Sequence, residues 1–421
     1  MTPWLLVALA AAPAPLLKDG DRVVFFGDSI TTQHTWTRDV EAYVKLRRPE
    51  WSVTFINAGV GGNTAADGLA RMDVDVFAHR PTLVLVNFGM NDAGFPPGTD
   101  GAAFEKNVTE IFDRLAKAKV RAVWIDTSPF DVDGLGPKHW GRAKQQRIEE
   151  EVSFAHKLGA DRKLPVVEWQ KPLTDAMAAF RAAGHLERLL PDRIHPGPMA
   201  HAVMAASVLR ALGFDVSAST VHGAWSKGEL KLDGAEAAVP WDGQAALTLD
   251  LASAAAPVPL VAGAKEANDL GDKDVIALRR LVLRLDGLPG ERYRLKLGEL
   301  DVGRVTRQEL ARGVDLMGTA KARTPPPADE RPPLTECAAT AGNPWLNDFD
   351  CLWDLLFEKD QLRVLMRHEK VRALPDYVPE YLDKFLSLQA EWVGLVDLEI
   401  DGRARAMRAA KHELTITPEA K

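Results

Sequence analysis

The chain has 421 residues, which is too long for one ordinary core and predicts two or three domains. Hydrophobic residues make up 46% and charged residues 26%, a balance that excludes an intrinsically disordered chain. The formal net charge of −7 argues against a nucleic-acid-binding protein, because such a protein needs a basic face.

The first 20 residues predict a signal-peptide-like leader. The apolar run WLLVALAAA is too short to cross a bilayer, and Ala8-Leu9-Ala10 is a candidate cleavage tripeptide. No Lys or Arg precedes the run, so an Ala-Pro-rich leader without an export function is the alternative. We expect an exported protein, periplasmic or secreted, with no membrane span.

Short apolar runs alternate with amphipathic stretches over residues 21–215. The runs are continuous and rich in β-branched residues, which is typical of parallel strands buried on both faces; they are residues 23–26, 53–56, 83–86, 122–125 and 165–167. Amphipathic helices are predicted between them. The pattern predicts an α/β fold, a three-layer α/β/α domain with a five-stranded parallel sheet. Ligands of such sheets bind outside the carboxyl ends of the strands.

The second half of the chain has a different pattern. Residues 216–318 alternate apolar and polar side chains, which predicts a small antiparallel β region. Residues 319–343 read as a proline-rich linker, and residues 344–421 as a helical C-terminal region. The two cysteines, Cys337 and Cys351, would close a disulfide in an exported protein or stay reduced otherwise.

Four short segments follow strands of the first domain. They are Gly27-Asp28-Ser29 after the first strand, NAGVGGNT (57–64) after the second, GMND (89–92) after the third and DRIHP (192–196) after the fifth. Each segment alone is a common turn. Because the carboxyl ends of parallel strands meet at one edge of the sheet, the four together predict a functional site there.

These segments supply the groups that a serine nucleophile requires. The Ser29 hydroxyl needs a base, and His195 can supply a ring nitrogen. Asp192 can accept from the other nitrogen and stabilise the imidazolium. The negative oxygen of a tetrahedral intermediate needs donors, which the Ser29 amide, a glycine amide within 59–62 and the Asn91 side chain can provide.

In these blocks, over roughly residues 21–213, the sequence resembles the GDSL, or SGNH, hydrolase family. The resemblance implies a flavodoxin-like α/β/α fold. It also implies a nucleophile, a base with its acid, and an oxyanion hole, carried here by Ser29, by His195 with Asp192, and by Ser29, Gly62 and Asn91. Gly59 and Gly61 stay open as alternatives to Gly62, whereas Asp28 and Asp92 are interpreted as structural.

We therefore predict a serine esterase that forms an acyl-enzyme and acts on a small-molecule or carbohydrate ester, without a metal or another cofactor. An acyltransferase with a sugar acceptor and a non-catalytic glycan- or cell-wall-binding protein are the alternatives. Four further residues follow the strands of the first domain and are predicted to bind substrate: Gln33, Trp36, Phe95 and Phe130. Trp36 could equally pack in the core.

Overall fold

The computed structural model describes residues 15–94, 101–233, 238–250, 268–298, 300–317, 352, 355, 356, 359, 393–407 and 413–419. Three residues singled out above lie outside this part of the chain: Phe95, Cys337 and Cys351. The predicted proline-rich linker and most of the predicted leader lie outside it as well. No helix among the described residues is both long and apolar enough to cross a membrane.

A five-stranded parallel sheet forms the centre of the first domain. Its strands are β1 (Arg22–Gly27), β2 (Thr54–Gly59), β3 (Leu83–Asn87), β4 (Arg121–Ile125) and β5 (Val166–Val167). Their spatial order is β2-β1-β3-β4-β5, and all neighbouring pairs are parallel. This is the flavodoxin-like order, which confirms the predicted fold.

Helices cover both faces of this sheet. They are α1 (Ser29–Thr32), α2 (Thr35–Arg47), α3 (Ala65–Asp75), a 3₁₀ turn (Phe77–His79), α4 (Gly101–Lys117), α5 (Trp140–Arg162), α6 (Gln170–Ala182) and α7 (Pro198–Ala211). Along β1, Val23 and Phe25 join the core formed with α2 and α7, while Val24 and Phe26 join the core formed with α3 and α4. Burial on both faces explains the continuous apolar runs of the sequence.

Two further sheets follow. Their strands are β6 (Ser219–Ser226), β7 (Glu229–Leu232), β8 (Val239–Pro240), β9 (Leu247–Asp250), β10 (Leu281–Asp286), β11 (Arg292–Leu297), β12 (Leu300–Thr306), β13 (Val314–Asp315) and β14 (Glu413–Pro418). The sheet orders are β13-β10-β6-β7-β8 and β12-β11-β14-β9. The two sheets share one apolar core.

Most of these pairs are antiparallel, as predicted, but β6 and β10 run parallel. A parallel pair needs a crossover connection, and the chain reaches β10 through helix α8 (Lys273–Leu278). Another short helix, α9 (Arg307–Arg312), begins at a capping box formed by Thr306 and Glu309.

The C-terminal part of the chain contacts both domains. Residues 393–407 are helical, and Ile400 packs in the same core as α2. The chain then returns as β14, which lies between β11 and β9. The prediction of a helical region through residue 421 was wrong for 413–418, because Leu414 and Ile416 alternate with polar residues and fill the core of the second domain.

Candidate active site

Ser29 is the first residue of α1 and follows directly on β1. The Asp28 side chain caps this helix, since its Oδ1 accepts a hydrogen bond of 3.0 Å from the Ile30 amide. Position 27, at the end of β1, must be glycine, because a Cβ atom there would lie 2.4 Å from Oγ1 of Thr31. Ser29 is thereby held at the carboxyl edge of the sheet.

His195 and Asp192 lie beside this hydroxyl. Nε2 of His195 is 2.9 Å from Oγ of Ser29, and Nδ1 is 2.7 Å from Oδ2 of Asp192. The second oxygen, Oδ1 of Asp192, accepts from the amides of His195 at 2.7 Å and Ile194 at 3.0 Å. Partial burial pushes the pKa of Asp192 upward, but the hydrogen bonds from His195 and Ile194 outweigh it and hold the pKa below its ordinary value. Asp192 is therefore ionised at neutral pH.

The loop that carries His195 is anchored on two sides. Arg193 has a left-handed backbone, with φ of 73°, and its Nη1 donates to the carbonyls of Asp131 at 2.9 Å and Asp133 at 2.8 Å. On the other side, Nε2 of Gln33 donates to the carbonyl of Pro196 at 3.2 Å. Gln33, which the sequence analysis assigned to substrate binding, thus ties the serine and histidine loops together.

Asn91 lies on the turn after β3 and contacts the glycine-rich loop after β2. Its Nδ2 donates to the carbonyl of Asn63 at 2.9 Å. The neighbouring carboxylate, Asp92, accepts from the Ala65 amide at 3.0 and 3.1 Å through its two oxygens. Burial raises the pKa of Asp92 to about 6. The hydrogen bonds of Asn91 and Asp92 thus join the turn after β3 to the main chain of the glycine-rich loop after β2.

The three glycines of the second block differ in their surroundings. The Gly59 amide donates to Oδ1 of Asn57 at 2.9 Å, so it is already engaged. A Cβ atom on Gly61 would lie 4.0 Å from Cβ of Ser29, whereas one on Gly62 would meet no atom within 4 Å. Gly62 has φ of 77°, which suits a turn. Gly61 therefore borders the serine, and the amides of Gly61 and Gly62 stay candidates for the oxyanion hole.

Two of the residues predicted to bind substrate are buried in the core. Trp36 is fully buried, with its ring centroid 4.9 Å from that of Phe25 and 5.1 Å from that of Trp169. Phe130 is also buried and packs 5.3 Å from the ring of Trp140. Neither side chain has surface to offer a ligand, so both expectations are corrected. Trp36 follows the alternative of core packing, because α2 turns this position toward the sheet.

Buried titratable groups that the sequence analysis did not find lie behind the site. Nζ of Lys144, on α5, donates to the carbonyls of Met90 and Gly94, on both sides of Asn91. Burial lowers the pKa of Lys144 and raises that of Asp28 to about 7. The α5 sequence is rich in charges and predicts an exposed helix, so no local signal pointed to Lys144. Within the described residues, no group of three His, Cys, Asp or Glu side chains is arranged to hold a metal.

Comparison with known proteins identifies the class. A family model described as GDSL-like Lipase/Acylhydrolase matches residues 25–203. An acetylxylan esterase of Geobacillus stearothermophilus is 27% identical over 219 residues, which cover 47% of this chain and 95% of that protein. An uncharacterized lipoprotein of Bacillus subtilis is 28% identical over 131 residues, 28% of this chain and 52% of that protein.

A solved structure shares the fold of nearly the whole chain. The structure of a gut microbial diltiazem-metabolizing enzyme covers 96% of this chain and 98% of its own, with a TM-score of 0.69 and 20% sequence identity. The family match and the acetylxylan esterase relative support a carboxylic ester hydrolase. The match of the GDSL-like Lipase/Acylhydrolase model to residues 25–203 confirms the resemblance found in the sequence.

Proposed function

We propose that this protein is a serine ester hydrolase with Ser29 as nucleophile, His195 as base and Asp192 as the acid that orients the base. The observation that carries the proposal is the continuous contact from Oγ of Ser29 through the imidazole to the Asp192 carboxylate, with distances of 2.9 and 2.7 Å. A serine hydroxyl is activated by a base at this distance, and the carboxylate stabilises the imidazolium that forms.

Each step uses groups of this chain. Oγ of Ser29 attacks the ester carbonyl carbon while Nε2 of His195 takes its proton. The oxyanion accepts hydrogen bonds from the Ser29 amide, from an amide of Gly61 or Gly62, and from Nδ2 of Asn91. The imidazolium then protonates the departing alcohol, which leaves an acyl-enzyme. Water then attacks the acyl-enzyme carbonyl while His195 takes its proton, and the imidazolium returns this proton to Oγ of Ser29 as the acid is released.

We propose small acyl groups on carbohydrate as the substrate class. The relative named an acetylxylan esterase supports this, because the match spans 95% of its length. The openness of the site supports it too, since the side chains of His195 and Asp192 are 38% and 56% exposed and leave room for a bulky alcohol. The signal-like leader and the lipoprotein relative support export.

The test is hydrolysis of p-nitrophenyl acetate by Ser29→Ala and Asp192→Asn. Ser29→Ala should lower kcat by at least about 10³-fold, because no nucleophile remains. Asp192→Asn should keep the bonds to the Ile194 and His195 amides but remove the charge, and lower kcat roughly 10²- to 10⁴-fold. Ser153→Ala, on the exposed side of α5, is the matched control and should be fully active.

Full activity of Ser29→Ala would contradict the serine mechanism. Inactivity of the wild-type enzyme on esters of every chain length would favour the non-catalytic glycan-binding alternative. Acetate release from acetylated xylan oligosaccharides, measured beside longer acyl esters, tests the substrate class. Transfer of acetyl to an added sugar in preference to water would favour the acyltransferase.

A further inference from the structure

Arg71 reaches from α3 into the carboxyl edge of the central sheet. Its side chain is 15% exposed, and the guanidinium lies 4.6 Å from the centroid of the Phe26 ring. Nη2 donates to the carbonyl of Gly27 at 2.8 Å, and Nη1 donates to the carbonyl of Ala58 at 2.8 Å. One side chain thus binds the main chain at the ends of both β1 and β2, and the end of β1 lies just before Ser29.

The same guanidinium holds the glycine-rich loop. Nε of Arg71 donates to Oδ1 of Asn63 at 2.7 Å, and Asp75 accepts from Nη1 at 3.0 Å on the far side. The main-chain carbonyl of Asn63 is the acceptor for Nδ2 of Asn91, at 2.9 Å. Arg71 is therefore linked through one residue to the side chain that we propose as an oxyanion donor.

We propose that Arg71 is a positioning residue for the hydrolytic reaction, acting through Asn63 to orient the Asn91 amide against Ser29. This inference rests on the proposed function. Donors in an oxyanion hole act only when they are held in place before the charge develops, and small displacements cost rate rather than binding. The planar guanidinium suits this task because its donors have fixed directions, whereas a lysine ammonium offers one point charge.

A double-mutant cycle tests the inference with Arg71→Lys, Asn91→Ala and the combined variant, assayed on p-nitrophenyl acetate. Arg71→Lys should lower kcat about 10- to 100-fold with KM changed less than about threefold, because the loss falls on the transition state. Asn91→Ala should lower kcat about 10²- to 10³-fold. In the Asn91→Ala background, Arg71→Lys should cost less than about threefold, since the two residues act in one chain.

The matched control is Arg114→Lys. Arg114 also contacts α3, donating to the carbonyl of Leu69 at 3.2 Å and pairing with Asp73, but its guanidinium lies over the Phe77 ring and not over Phe26 at the end of β1. Its replacement should leave kcat unchanged. If Arg71→Lys folds poorly, Asn63→Ala replaces it in the cycle. This variant removes the Oδ1 acceptor of Arg71 Nε but keeps the main-chain carbonyl that binds Asn91, and its kcat loss should likewise not multiply with that of Asn91→Ala.

The inference would be overturned if the kcat losses of Arg71→Lys and Asn91→Ala multiplied in the combined variant. It would also be overturned if Arg71→Lys lowered the melting temperature but left kcat unchanged. Ser29→Ala is assayed beside these variants. If Ser29→Ala is inactive and the kcat losses of Arg71→Lys and Asn91→Ala multiply in the double variant, the serine mechanism stands and only the positioning role of Arg71 is wrong. An active Ser29→Ala means that the proposed function fails.

Discussion

Glu151 shows how far a single buried side chain can depart from its ordinary chemistry. It lies on α5 beneath the turn that carries Asn91, and its side chain is 1% exposed. Burial raises its pKa to about 9, and the charge of Asp92 adds to the rise, while Arg147 and Lys144 oppose it. At neutral pH the Glu151 side chain is therefore an uncharged acid.

This shift predicts a pH-dependent stability. An acid that is neutral when folded and ionised when unfolded stabilises the fold fully below its ordinary pKa of 4.5, and the contribution is lost as pH rises through about 9. Glu151→Gln cannot ionise. The free energy of unfolding of wild type should therefore fall relative to Glu151→Gln between pH 5 and 9, by up to about 1.4 kcal/mol per unit.

Urea unfolding at pH 5, 7 and 9 measures this difference. Glu150→Gln, on the same helix but with a side chain 52% exposed, is the control and should show little change with pH. A difference between wild type and Glu151→Gln that stays constant with pH would mean that Glu151 is ionised in the folded protein.

At the scale of elements, the segments that follow β3 and β4 approach each other so closely that position 89 must be glycine. Gly89 has φ of 132°, and a Cβ atom there would lie 2.0 Å from Oγ1 of Thr127. The Thr127 hydroxyl cannot turn away freely, because it donates to the carbonyl of Phe88 at 3.0 Å. The glycine of GMND is thus required by packing as well as by backbone angle.

We predict that Gly89→Ala lowers the free energy of unfolding by roughly 2–6 kcal/mol, the sum of backbone strain and overpacking. Gly303→Ala is the control, since φ there is 118° but a Cβ atom would meet nothing within 4 Å. It should cost only the strain, about 1–3 kcal/mol. Chemical denaturation of both variants provides the comparison, and equal losses would show that the contact with Thr127 relaxes easily.

At the scale of the whole molecule, one buried lysine joins the C-terminal part to the first domain. Nζ of Lys359, whose side chain is 1% exposed, donates to Oε1 of Glu41 on α2 and lies 2.6 Å from Oδ1 of Asp397. Burial raises the pKa of Glu41, and the lysine charge counteracts this rise. Lys359 therefore supplies compensating positive charge to both carboxyl groups, and Lys45 adds to it at Glu41.

Replacing Lys359 with Met should therefore destabilise the protein by about 3–5 kcal/mol, because the buried Glu41 carboxylate and the half-buried Asp397 carboxylate lose this cation. Lys171→Met is the matched control. Lys171 pairs with Asp175 at 2.6 Å, but their side chains are 74% and 64% exposed, so its loss should cost at most about 1 kcal/mol. Similar melting temperatures for the two variants would mean that the C-terminal contact does not support the folded state.

The order of the blocks allowed the sequence to predict much of the candidate site. Ser29 and Asn91 follow β1 and β3, and the geometry of parallel sheets sends such residues to one edge. Asp192 and His195 reach the same edge from the loop between α6 and α7, because helix α6 separates them from β5. Other residues around the site carried no such signal. Arg71 and Lys144 lie on charged helical surfaces in the sequence, and only the packing of α3 and α5 against the loops reveals their contacts.

The sequence by itself determined the central sheet, because buried parallel strands leave continuous apolar runs that can be recognised locally. Only the tertiary structure decided contacts between residues far apart in the chain. It buried Trp36 and Phe130, paired β6 with β10 in parallel, and inserted β14 between β9 and β11. Strand pairing and side-chain burial depend on residues distant in the sequence, which a local pattern cannot identify, so these features were found only in the folded structure.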